Sequence, residues 1–208
     1  MTREKIRKLS HQELVLRQNG QMEKKKLPFI ALLNNIRSLY NVGSLLRTAD
    51  GAGLEKIWLC GITGIPPSSK ISKTALGAEN RVAWEFHRDA RVCLKDLKRQ
   101  GYQIALLEQT EKSIPYETFA PQGPVCLVAG NEIQGVEEGL LPYCDLALEI
   151  EMAGLKNSLN VTVAFGIAAY HIRNQLKWNT HGANVGAGLV PALEGRPQGP
   201  APTLAARV

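Results

Sequence analysis

Pro28-Phe29-Ile30-Ala31-Leu32-Leu33 is an uncharged apolar run that breaks at once into the polar cluster Asn34-Asn35-Ile36-Arg37. Successive side chains of an extended segment point to opposite faces, so an unbroken apolar run is a strand buried on both sides. Such strands belong to parallel sheets covered by helices. The pattern recurs along the chain. Val42 to Ala52 has helical spacing (Val42, Leu45, Leu46, Ala49) and stops at Gly51 and Gly53. Lys56-Ile57-Trp58-Leu59-Cys60-Gly61 reads as a second strand and Val82 to Phe86 as a third. Asp89 to Gln100 reads as an amphipathic helix on Val92, Cys93 and Leu97, closed by Gly101. Tyr102 to Leu107, Val125 to Ala129 and Leu146 to Ile150 read as further strands. Asn157 or Ser158 is expected to cap a last helix reaching about Trp178. The alternation predicts an α/β protein with a mostly parallel sheet flanked by helices.

Charge and composition divide the 208 residues into three parts. Residues 27–178 balance fifteen basic against fifteen acidic side chains, and form a body large enough to bury a core. Residues 1–26 hold eight Lys or Arg, among them Arg7, Lys8, Lys24, Lys25 and Lys26, against three Glu. This arm therefore carries most of the net charge of +6. It reads either as an electrostatic footprint for nucleic acid or as a solubilising helix with a charged face. Within it, Ser10-His11-Gln12-Glu13 fits a capping box, with Leu14 on the apolar side of the helix that follows. Residues 179–208 contain five Gly, four Pro and six Ala and no aromatic residue, which predicts a disordered tail.

Several chemistries are excluded at this level. No stretch approaches the 18 apolar residues of a membrane span, and the charged N-terminus lacks the apolar core of a secretory signal. Cys60, Cys93, Cys126 and Cys144 lie apart in or beside apolar runs, so they read as reduced core thiols of a cytoplasmic protein. His11, His87, His171 and His181 offer no metal spacing. Gly51-Ala52-Gly53-Leu54-Glu55-Lys56 has Lys at the third glycine position and precedes a strand, unlike a dinucleotide fingerprint. No phosphate loop, zinc-protease helix or nucleophile elbow is present.

Three polar clusters remain, each beside a strand end or helix start. They are Asn34-Asn35-Ile36-Arg37 with Asn41 to Asp50, then Ala129 to Val136, then Gly154 to Ala164. Ligands of open parallel sheets bind outside the carboxyl ends of the strands, where such loops gather. Arg47 lies beside the apolar face of its helix and needs a partner, for which Glu132 is the natural candidate. Each residue also has a plain structural role: Asn41 as a helix cap, Arg47 and Glu132 as an ion pair, Ser158 and Asn160 as a helix start. Taken together, three clusters on one sheet favour a site.

In this order and spacing the clusters resemble the three motifs of the SpoU/TrmH branch of SPOUT-class RNA 2′-O-ribose methyltransferases, over residues 28 to about 175. Asn41 and Arg47 match the first motif, Gly130-Asn131-Glu132 the second, and Ser158-Leu159-Asn160-Val161 the third. Thr74-Ala75-Leu76-Gly77-Ala78-Glu79 resembles the family's small-residue segment. The resemblance implies a sheet whose C-terminal part forms a deep trefoil knot, and a homodimer with its site near the interface. It implies S-adenosylmethionine held by Gln109, Thr110, Gly130, Ile150 and Leu159, no metal, and transfer of a methyl group to a ribose 2′-hydroxyl of tRNA or rRNA. Arg47, Asn41, Glu132, Ser158 and Asn160 would be the catalytic set. A guanidinium is a poor base, so Arg47 is expected to stabilise the developing alkoxide, with Glu132 holding it in place. Arg7, Lys8, Lys24, Lys25 and Lys26 would contact RNA. The alternative is a catalytically inactive knotted RNA-binding protein.

Overall fold

The computed structural model describes residues 6–22 and 26–182. The tail expected over 179–208 falls almost wholly outside them, as do Lys24 and Lys25. Seven strands form one sheet: β1 (Phe29–Asn34), β2 (Lys56–Cys60), β3 (Ala83–His87), β4 (Gln103–Leu107), β5 (Ile114–Pro115), β6 (Val125–Ala129) and β7 (Leu146–Glu149). Their order is β3-β2-β1-β6-β4-β7-β5, and every neighbouring pair is parallel. The α/β class is as the apolar runs predict.

The alternation within β1 shows why those runs are unbroken. Phe29, Ala31 and Leu33 point into one core with Leu45, Leu46, Phe165 and Ile172, while Ile30 and Leu32 point into the other with Leu94 and Leu97. All six residues of β1 are buried. Cys60, Cys93 and Cys126 are free and buried in the second core, and burial pushes the Cys126 thiol well above its ordinary value. Burial of this kind keeps a thiol unreactive.

The described residues hold five α-helices: α1 (His11–Met22), α2 (Leu39–Ala52), α3 (Ser69–Ala75), α4 (Ala90–Arg99) and α5 (Val161–Gly182). The capping box of α1 forms as expected, with Ser10 N donating to Glu13 Oε2 at 2.7 Å and Glu13 N to Ser10 Oγ at 3.3 Å. Leu14, however, is exposed, because α1 presents it to solvent instead of a core. Helix α2 begins three residues before the expected start. Its cap is Ser38, whose hydroxyl accepts from Asn41 N at 3.3 Å, so Asn41 sits inside the first turn and is not the cap. It ends as predicted at Gly53, whose φ of 73° is readily adopted by glycine. Gly43 lets α2 lie against α3, since a Cβ there would overlap Thr74 Oγ1 and the Ile71 carbonyl. Among the described residues no helix is long and apolar enough to cross a membrane.

The last segment positions the site. β7 lies on the far side of β4 from β6, yet α5 packs back against α2. The connection, residues 150–160, therefore passes the carboxyl ends of β4 and β6. Helix α5 reaches Gly182, beyond the expected end at about Trp178. Ala168 and Ala169 of this helix are fully buried, so these small residues pack the core.

Candidate active site

The loops after β1, β4, β6 and β7 meet at one end of the sheet, and side-chain amides tie them together. Asn34 Oδ1 accepts from Glu137 N at 3.1 Å, and Asn131 Nδ2 donates to the Asn35 carbonyl at 2.9 Å. Gln109 Nε2 donates to the Asn157 carbonyl at 2.8 Å, joining the turn after β4 to the returning segment. Glu108 accepts from Val136 N at 3.2 Å and so fixes the far end of the β6 loop.

The β6 loop is a tight reversal. Asn131 and Gly135 exchange backbone hydrogen bonds of 2.9 and 3.0 Å, and Asn131 Oδ1 accepts from the amides of Ile133 and Gln134. At Gly130 a Cβ would overlap the Gly135 carbonyl carbon and the Val136 nitrogen. Only glycine lets the chain fold back so closely.

Between these loops lies a cleft of about 500 Å³, a usual size for a small-molecule site. Four of the five residues expected at a cofactor line it: Gln109, Gly130, Ile150 and Leu159. Thr110 does not. Its amide donates to Ser113 Oγ and its hydroxyl accepts from Lys112 N, so its polar groups serve the turn. Glu132, Ser158 and Asn160 of the expected catalytic set also line the cleft. Asn160, not Asn157 or Ser158, starts α5: its side chain accepts from Thr162 N at 2.8 Å and its carbonyl from Val163 N and Ala164 N. That leaves Ser158 exposed on the cleft wall.

The expected Arg47–Glu132 pair does not form. Glu132 accepts from Arg37 N at 3.1 Å, Ser38 N at 3.0 Å and Asn41 Nδ2 at 2.9 Å. These donors surround the start of α2, where a carboxylate is also favoured by the helix dipole. Arg47 lies six residues beyond Asn41, about 9 Å along the axis and turned well away from it. It sits one turn past Gly43, on the side facing α3, and is exposed with no hydrogen bond or ion pair among the described residues. Asn41 thus joins the cleft through Glu132, and Arg47 does not line it.

Burial raises the Glu132 carboxyl pKa, but its hydrogen bonds outweigh this and hold it below the ordinary carboxylate value. A depressed folded pKa contributes stability above the unfolded pKa and loses it as pH falls through the folded one. We expect Glu132→Ala to cost about 1 kcal/mol at neutral pH, below the usual range for a charged acceptor because the group is solvent-open. Thermal melts from pH 7 to pH 3 should show the gap to the wild type narrowing on the acid side of pH 4.5.

Of the basic residues expected at RNA, Arg7 pairs with Glu13 at 2.6 Å, Lys26 Nζ reaches the Glu55 carbonyl at 3.4 Å, and Lys8 is exposed. Glu108 and Ser38 organise the site without standing out in the sequence, and Asn131, part of the second motif, proves to brace the loop after β1 as well. Ser38 is detectable as a hydroxyl three residues before Asn41; Glu108 follows β4 directly, at the carboxyl end where such loops gather.

Residues 28–170 match the model of the SpoU rRNA methylase family. The chain is 31% identical over 147 residues to the 23S rRNA (guanosine(2553)-2′-O)-methyltransferase RlmP of Bacillus subtilis, covering 69% of this chain and 57% of that protein. It superposes on the TrmH/SpoU tRNA modifying enzyme of A. aeolicus with a TM-score of 0.71 and 25% identity, covering 81% and 85% of the two chains. The AdoMet-bound rRNA methyltransferase from Sinorhizobium meliloti gives a TM-score of 0.67 and 26% identity, covering 75% and 59%. The chain spans about three-fifths of the length of several curated relatives.

Proposed function

The chain belongs to the SpoU rRNA methylase family, and from that premise we propose that it transfers a methyl group from S-adenosylmethionine to a ribose 2′-hydroxyl of tRNA or rRNA. The observation that carries this is the cleft, where the second and third polar clusters meet the turn after β4. Its lining suits that cofactor. Leu107, Leu148, Ile150, Met152 and Leu159 offer apolar contact, and Glu108, Glu132 and Glu149 are the charged residues among those lining it. Three carboxylates with no lining Lys or Arg favour a cationic ligand. When bound, S-adenosylmethionine would supply an electrophilic methyl group on a positive sulfur.

The protein's own part is positioning and electrostatics. Gly130 and the turns around Gln109 and Leu159 hold the cofactor largely through backbone groups. Ser158 and Asn160, at the mouth of the cleft, orient the ribose. Glu132 and Asn41 keep the loop after β1 in register with the β6 loop. The family resemblance gives Arg47, unpaired among the described residues and outside the cleft wall, the stabilisation of the charge that grows on the 2′-oxygen, and a phosphate, water or carboxylate takes the proton. Residues 27–178 form the methyltransferase unit, knotted through the return of residues 150–160. It acts as a cytoplasmic homodimer without a metal.

The test is methyl incorporation into transcribed, unmodified tRNA and rRNA followed by alkaline hydrolysis. A 2′-O-methyl ribose blocks cleavage of its own phosphodiester, so labelled dinucleotides are expected. Label on a base, or RNA binding without transfer, would overturn the reading.

Residues 1–26 are proposed to hold the RNA by its phosphates. With about five cations engaged, their deletion should reduce the slope of log affinity against log salt by about 4. Filter binding across a salt series measures this, and an unchanged slope removes the arm from the interface.

A further inference from the structure

A second cavity, of about 430 Å³, opens beside the first and is lined by Asn35, Arg37, Ile62, Asn131, Ile133 and Gln134. It lies past the carboxyl ends of β2, β1 and β6, three adjacent strands of the sheet. Asn131 and Ile133 line both cavities, so the β6 loop is a shared wall.

The frame of this cavity is held from three sides. Asn35 adopts a left-handed backbone conformation, φ 60°, and its Oδ1 accepts from Ile62 N at 3.0 Å. Its backbone N–H donates to the Cys60 carbonyl at 3.2 Å, and its backbone carbonyl accepts from Asn131 Nδ2. Against this rigid frame two large aliphatic side chains stand in solvent: Ile62 is 68% and Ile133 81% exposed. Arg37 is exposed with its guanidinium unpaired among the described residues, although its backbone amide is fixed by Glu132. The Gln134 side-chain amide likewise makes no hydrogen bond among the described residues.

Two apolar walls, a free amide and one cation at the rim match a flat group with hydrogen-bonding edges and a nearby anion. A nucleobase with its phosphate has that form, and RNA is read in sequence mainly through bases splayed out of the strand. We infer that this cavity receives a base of the substrate RNA, with Ile62 and Ile133 against it, Gln134 at its edge and Arg37 at the adjoining phosphate. The inference rests on the methyl-transfer reading, since the shared wall then sets that base beside the ribose to be modified.

Arg37→Gln keeps the backbone amide that Glu132 uses, and Ile62→Ser alters a solvent-exposed side chain that lines only this cavity. RNA affinity is measured by filter binding to transcribed, unmodified tRNA and rRNA, and S-adenosylmethionine affinity by calorimetry. Each variant should weaken RNA binding about tenfold and leave cofactor affinity within twofold. Arg37→Gln, unlike Ile62→Ser, should also lower the salt slope by about 1. Unchanged RNA affinity in both variants overturns the assignment. So does a change of oligomeric mass with RNA affinity intact, which would make the cavity a protein contact. A wild type that binds RNA but transfers no methyl group defeats the enzymatic reading, while the same binding series still decides the cavity.

Discussion

Replacing Arg47 by alanine should lower methyl transfer by about 10²–10³-fold, which is the loss expected when one charge-stabilising donor is removed from a developing oxyanion. The structure makes this a clean experiment. Arg47 is exposed and bonded to nothing among the described residues, so its truncation orphans no buried group. Alanine is also the better helix former, and α2 should stay intact. S-adenosylmethionine affinity should be unchanged, because Arg47 does not line the cleft. Arg47→Lys keeps the charge but loses the planar fork, and should recover only part of the rate. Single-turnover assays at saturating cofactor read the chemical step. Near-normal transfer by Arg47→Ala would remove the guanidinium from the reaction.

Gly130→Ala should lose both stability and cofactor binding. The added methyl would overlap backbone atoms of Gly135 and Val136, which cannot rotate aside as a side chain would. The β6 loop must then open, straining the Asn131–Gly135 hydrogen bonds and the contact of Glu108 with Val136 N. Overpacking of this kind costs about 1–3 kcal/mol. In a body of this size that lowers Tm by roughly 3–10 °C. The same shift moves Asn131 and Glu132 on the cleft wall, so calorimetry should show at least tenfold weaker S-adenosylmethionine binding. A wild-type Tm with wild-type affinity would mean that the reversal at Gly130 tolerates a side chain.

The middle of the sheet was legible because β1, β2, β4 and β6 are buried on both faces. β1 and β6 are unbroken apolar runs, and their bounds shift by no more than a residue. Elements with few buried side chains escaped notice. Helix α3 is Ser-Lys-Ile-Ser-Lys-Thr-Ala and buries only Ile71 and Ala75, too few for a period to show. The two-residue β5 carries no pattern at all. Helix starts were placed too late at α2, because the apolar rhythm begins at Val42 while the first turn, Leu39-Tyr40-Asn41, lies ahead of it.

Within the site, polar clusters at strand ends pointed to the cleft, and four of the five residues that the family resemblance assigns to a cofactor line its wall. The partner of Glu132 was misjudged for a physical reason. Opposite charges suggest a pair, but a carboxylate can be satisfied by backbone amides, and the sequence does not mark which amides are free. Here the start of α2 supplied them, and Arg47 was left to solvent.

Both margins of the sheet discourage further growth. On one side β3 carries Glu85, paired with Lys56 and His87, along an exposed rim. On the other, β5 is two residues long and ends in Pro115, which has no amide hydrogen to offer. Charge and proline at sheet margins are the usual guards against runaway strand addition. The helical layers, by contrast, carry exposed apolar surface: Tyr40 of α2 and Val163 and Tyr170 of α5 stand half-open to solvent. Concentrated solutions should accordingly stay free of fibrils built by strand addition.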